Sequence, residues 1–317
     1  MKSKWIIPLL LSCVYALLAQ TAGVPQRQSG NAPAWLQYLG NGRDGALLNA
    51  NGPMTGDYSL SAFTVPAGSQ VTVLGTLIVR SSVCTIDGTI SAAGLNGSTV
   101  PSAGPSGTTG QNGVGGGSGG GGGGGSSAGF AGGNSAQNLT GRAFMPGGSG
   151  GAASGGPGTA GEPAFDSNGW PSMPMGPGDL QMNPAATFFR LFIADGWGQD
   201  GFGIGGAEGG WGAQSSGPGG APGEGGGTII LVCGSIAGSG AILANGGAGG
   251  NSTANGQGGG GGGGGGAIIL SAQQTLTFNG TTNVAGGAGG VCGSYTDCGA
   301  GGAGGDGWTY AIAGWGQ

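Results

Sequence analysis

The sequence predicts an all-β fold: a β-solenoid whose rungs carry the apolar core, with glycine-rich segments packed as polyglycine II-type helices. The first observation behind this is a repeat. Gly227–Gly250 aligns with Gly266–Gly290 through Thr-Ile-Ile-Leu and Ala-Ile-Ile-Leu openings and a shared Gly-Gly-Ala-Gly-Gly ending, with Gly240 and Gly280 standing 40 residues apart. A fixed period of this size marks stacked units that bury a shared core. The second is composition: Gly is 88 of 317 residues, yet 37% of the chain is hydrophobic and the Val/Ile/Leu runs are strand-like. Collagen needs Gly at every third position with abundant Pro, and simple disorder needs a poorer apolar content. The third is a further copy, Val83–Gly94, which aligns on Asp87-Gly88 with Ser239-Gly240 and Asn279-Gly280.

The elements follow in order. Residues 1–22 have a basic start at Lys2 and Lys4, an apolar run, then small residues at Ala16, Ala19 and Ala22. This is the pattern of a secretory signal peptide. The run is short for a bilayer, and Leu10-Leu-Ser-Cys13 is a loose lipoprotein-type box, an alternative processing site. Residues 23–34 form a polar leader. Residues 35–94 hold an N-terminal β region, with Leu60–Gly68 and Val71–Val79 bounded by Gly and Pro, and the first repeat copy. Aligned on the x-Gly pairs, Cys84, Ile236 and Leu276 precede the turn by four residues, and Ile90, Ile242 and Thr282 follow it by two. Period-two positions of this kind stack as inward ladders. The x-Gly pairs are expected to supply the positive φ that a tight corner wants.

Residues 95–225 are a glycine-rich insertion containing Gly119–Gly125, and a second tract, Gly258–Gly266, precedes the last copy. Such tracts read either as flexible linker or as extended three-residue-per-turn helices that bond side by side. An isolated tract cannot offset the entropy of ordering glycine, and the placement of both tracts ahead of apolar rungs favours packing. Residues 160–211 concentrate aromatics, and Asn183–Gly196 could form a short helix. This segment reads as a cap over the insertion or as a contact surface through Trp170, Phe189, Trp197 and Trp211. Residues 226–317 complete the repeats and end in an aromatic strand over residues 307–317.

Charge and chemistry narrow the function. Both lysines lie within the first four residues, there is no His, and five arginines face twelve acidic residues. Nucleic-acid binding needs Lys/Arg clusters, and anionic membrane surfaces would repel the chain. Without His no Ser-His-Asp or Cys-His arrangement exists, and the carboxylates are scattered without a motif. No phosphate loop occurs. Asp195/Asp200 and Asp297/Asp306 match no calcium-loop spacing, so no cofactor or metal is expected. Asn-x-Ser/Thr at Asn96, Asn138, Asn251 and Asn279 is the chance level for this composition. Export permits disulfides. Cys292 and Cys298 enclose a short loop and are the first pair expected; Cys84 and Cys233 sit inside strand runs, where free thiols pack as small hydrophobes, and are the second candidates.

Gly42-Arg-Asp-Gly-Ala, Gly88-Thr-Ile-Ser-Ala-Ala-Gly, poly-Gly and the later Ile-Ile-Leu repeats together resemble a group of glycine-rich exported bacterial surface proteins and phage tail-tip adhesins. The Gly-Gly-Ala-Gly-Gly strings are also similar to mycobacterial glycine-rich surface repeats, without the N-terminal helical module of those proteins. The resemblance implies a β-solenoid with polyglycine II packing and a structural or receptor-contact role; a signal peptide argues against a phage virion protein. The leading expectation is a non-enzymatic secreted or cell-surface structural protein that self-assembles into a filament or matrix. Trp35, Tyr38, Trp308, Tyr310 and Trp315 are the candidate assembly residues, since an open solenoid end must be capped or paired. The alternative is a monomeric adhesin binding glycan or a host protein through the aromatic insertion. A third reading, ice binding, lacks a regular Thr-x-Thr ladder.

Overall fold

A computed structural model describes residues 39, 41–98, 114–115, 156–161, 204–205, 219–252, 257–292 and 298–314. Among them are twelve strands and no helix: β1 (Ala46–Leu47), β2 (Gly52–Leu60), β3 (Ala62–Val65), β4 (Gln70–Ile86), β5 (Thr89–Ser91), β6 (Val114–Gly115), β7 (Ile204–Gly205), β8 (Thr228–Gly238), β9 (Ala241–Leu243), β10 (Ala267–Phe278), β11 (Thr281–Asn283) and β12 (Trp308–Ala313). Every pairing is parallel. Ten strands make one nearly closed sheet in the order β11-β9-β5-β4-β8-β10-β12, with β2 and β3 also on β4 and β1 on β3; β6 and β7 form a separate pair. Among the described residues no helix is long and apolar enough to cross a membrane. The candidate signal segment and the candidate helix at 183–196 lie outside the described residues.

The repeat copies become neighbouring strands. Cys84 pairs with Ile236 and Ile236 with Leu276; Ile90 pairs with Ile242 and Ile242 with Thr282. Both ladders read from the repeat are therefore present in register; Cys84, Ile236, Ile90 and Ile242 are buried, Leu276 is half-buried and Thr282 is exposed. The β-branched runs of β4, β8 and β10 stack Leu77, Ile229 and Ile268 in one column and Val79, Leu231 and Leu270 in another, all buried in one core. The opposite face is buried as well, at Ile78, Ile230 and Ile269, which is why these strands read as continuous apolar runs rather than alternating ones. β7 lies near β4.

The corner glycines differ from expectation. Gly88, Gly240 and Gly280 do not have positive φ; that conformation belongs to Gly42, Gly45, Gly52, Gly56, Gly68, Gly75, Gly238 and Gly314. The x-Gly corners instead stack so closely that a Cβ at Gly240 would strike the Gly88 carbonyl, and one at Gly280 the Gly240 carbonyl. Glycine is needed there because backbone meets backbone, not because the turn is left-handed.

Beside the strands, the chain runs out and back between successive layers as residues 92–98 and 219–227, 244–252 and 257–266, and 284–292 and 298–307. These segments bond one another with a step of three residues. The N–H groups of Gly220, Gly223 and Gly226 donate to the carbonyls of Gly258, Gly261 and Gly264; those of Gly259, Gly262 and Gly265 donate to Gly299, Gly302 and Gly305; and those of Gly260 and Gly263 donate to Gly250 and Gly247. Successive residues thus address different neighbours, so glycine count tracks coverage. Gly258–Gly266, with neighbours on several sides, is buried throughout. The outer segments carry a side chain at every third position, as at Asn245, Ala248 and Asn251, or at Ala285, Ala288 and Val291, and these are exposed or half-buried. Pro222, which has no N–H, falls between the donor positions Ala221 and Gly223. Gly158 and Gly161, from within the insertion, donate to Ala300 and Ala303.

Candidate assembly surface

The sheet has two ends, and they are built differently. At the N-terminal end β2 pairs only with β4, and β3 is covered by β1. The segment before β2 folds over the end: Asp44 N–H donates to the Ser59 carbonyl, Ser61 N–H to Gly45, and Ala50 N–H to Thr64. A carboxylate oxygen of Asp44 also accepts from Ser59 N–H at 2.7 Å. β2 carries Pro53, positive-φ glycines at Gly52 and Gly56, and a register shift between Met54 and Gly56. Proline and bulges blunt an edge against strand addition, and glycine in a strand weakens its pairing. Asp57 binds Arg80 of β4 at 2.9 Å, both largely buried. The two aspartates, Arg43 and Tyr58 line an open groove of about 410 Å³.

At the C-terminal end β12 pairs with β10 and β11 with β9, and no described strand pairs with the other side of either. The inward columns change character there. Leu77–Ile229–Ile268 ends in Thr309, Val79–Leu231–Leu270 ends in Ala311, and Ile90–Ile242 ends in Thr282. Thr282, Thr309, Ala311 and Ala313 are exposed, and Tyr310 and Ile312 are half-buried. Aliphatic residues give way to small or polar ones on β11 and β12, where no further described strand covers them. Burial raises the Tyr310 phenol above its ordinary pKa. The backbone edge itself is plain: Trp308-Thr-Tyr-Ala-Ile-Ala313 has no charge, no proline and no register shift.

Of the candidate assembly residues, β12 brings Trp308 and Tyr310 onto this edge; Trp35, Tyr38 and Trp315 lie outside the described residues, as do the ligand-contact candidates Trp170, Phe189, Trp197 and Trp211. The blocking role of Pro53 and the Thr309/Ala311 substitutions were not singled out from sequence, although aligning the tail on Ala267–Ala272 exposes the latter. Both cysteine pairs are joined. Cys292 and Cys298 have Cα atoms 5.9 Å apart. Cys84 and Cys233, the second candidate pair, for which buried free thiols were the alternative, also form a disulfide, with Cα atoms 6.0 Å apart. They sit three residues out of direct register, since Ser81 opposes Cys233. Three extended residues span about 10 Å, so only a bend beyond Ser81 brings the pair together, and no sequence pattern announces it. Among the described residues no group of three or more His, Cys, Asp or Glu could hold a metal. The chain matches no family model, no curated protein and no solved structure.

Proposed function

We propose that the chain is a non-enzymatic, exported structural protein that associates with itself through the open edge at β12. On this reading the aligned strand copies are rungs of a β-solenoid, and the out-and-back glycine segments form a polyglycine II-type lattice beside it. The fixed register of successive copies and the three-residue step of backbone bonds support that picture. The observation that carries the function is the contrast between ends: β2 is blunted, whereas β12 offers an uncharged row of backbone groups of the kind that recruits another strand. A structural role also agrees with the chemistry present. Asp44, Asp57, Asp87 and Asp306 are each engaged, by Ser59 N–H, Arg80, Ser239 N–H and Gly286 N–H respectively.

Light scattering and negative-stain electron microscopy of the secreted form across a concentration series test this reading. Species larger than a monomer should appear with concentration, and removal of residues 307–317 should leave a folded monomer. A monomer at every concentration would sink the proposal and turn attention to the aromatic insertion and a glycan array.

A further inference from the structure

We infer that the association closes tail to tail: β12 of one copy pairs antiparallel with β12 of a second copy, and the assembly stops at two. This rests on the self-association reading and narrows it. A filament of stacked solenoids would need β12 of one copy to seat on β2 of the next. Pro53 supplies no N–H to such a ladder, the register shift between Met54 and Gly56 breaks its spacing, and the segment 44–50 already bonds residues 59–64. The second edge that propagation demands is therefore absent among the described residues. An isologous two-fold contact needs only one surface, used twice.

β12 suits that symmetry. A two-fold axis normal to the sheet sets a strand against itself antiparallel, so any charge on it would face a like charge or its near neighbours. Trp308–Ala313 carries none. With the axis at Tyr310, Asp306 falls opposite Gly314, which is also uncharged. Asp306 is in addition held by Gly286 N–H at 2.8 Å. The pairing would extend each ten-stranded sheet into its partner's, in continuity with the β10–β12 ladder. It would also cover Thr309, Ala311 and Ala313, whose small side chains let two inner faces meet without a clash. Small or polar side chains at these positions also expose less apolar surface to water than the Ile and Leu residues that precede them in the same columns.

The test uses the full secreted chain. Light scattering should give a mass of two chains that does not grow further with concentration. Ala311→Lys, at an exposed position, should leave circular dichroism and thermal midpoint unchanged and yield monomer at concentrations where the parent is paired. Ala311→Cys should form a covalent dimer under mild oxidation, whereas Thr55→Cys on β2 should not. Open-ended growth, or a 55-to-311 cross-link in the double variant, would overturn the tail-to-tail contact while leaving self-association standing. Pairing that survives Ala311→Lys would overturn it as well, by moving the contact elsewhere. A parent that stays monomeric throughout removes the self-association reading and this inference with it.

Discussion

Gly263→Ala tests the claim that glycine is required in the packed array by lack of space. A Cβ at Gly263 would lie within 3.0 Å of three backbone atoms, the Glu224 carbonyl carbon and oxygen and the Gly223 oxygen. None is the end of a flexible side chain, so relief requires moving a backbone segment. That movement strains the bonds in which Gly263 N–H donates to Gly247 and Gly287 N–H donates to Gly263. Overpacking costs about 1–3 kcal/mol, and weakening two net hydrogen bonds adds about 1–2 kcal/mol. Reduced freedom of the unfolded chain returns about 0.4–1 kcal/mol. The net expectation is a loss of about 2–4 kcal/mol. Ala288→Ser, at an exposed third position of a neighbouring segment, is the control and should fall within about 0.5 kcal/mol of the parent. Urea unfolding with disulfides intact, read by circular dichroism, measures both. Equal midpoints for the two variants would refute the argument, because the array would then tolerate a methyl group where backbone is said to touch backbone.

Other perturbations address separate features. Replacing Cys84 and Cys233 together by Ser removes a link between residues 149 apart; loss of about 3–5 kcal/mol is expected from chain entropy, visible as a lowered urea midpoint that reductant reproduces in the parent. Asp57→Asn leaves Arg80, whose Nε is buried without a partner, short of its ion pair; destabilisation of about 1–3 kcal/mol should appear in thermal melts, and Asp57→Asn/Arg80→Met should recover part of it. The Tyr310 phenol, raised by burial, is kept neutral by folding. Its contribution to stability is complete below the ordinary tyrosine pKa of about 10 and is lost as pH rises through the folded value. Ultraviolet titration of Tyr310→Phe against the parent should show the missing late-ionising phenol, and an unchanged alkaline limb would contradict the assignment.

Much of the fold was legible in the residues. The alignment of Val83–Gly94, Gly227–Gly250 and Gly266–Gly290 determines which residues stack, because a repeated unit must bury its apolar face against its neighbour; the Cys84–Ile236–Leu276 and Ile90–Ile242–Thr282 ladders follow directly. The spacing of side chains in the glycine segments was equally present, at Ala285, Ala288 and Val291 or Ala300, Ala303 and Asp306. Its meaning was not, since a triplet spacing acquires sense only when the neighbours along each direction are known. Tertiary structure alone decided three things. It set the corner glycines by close stacking rather than by φ, because the collision at Gly240 comes from Gly88, a residue of another layer. It joined Cys84 to Cys233 through a bend that local sequence does not encode. And it distinguished the two ends of the sheet: an edge is defined by what fails to pair with it, so the contrast between the blunted β2 and β12, which has no second partner among the described strands, emerges only from the pairing of those strands.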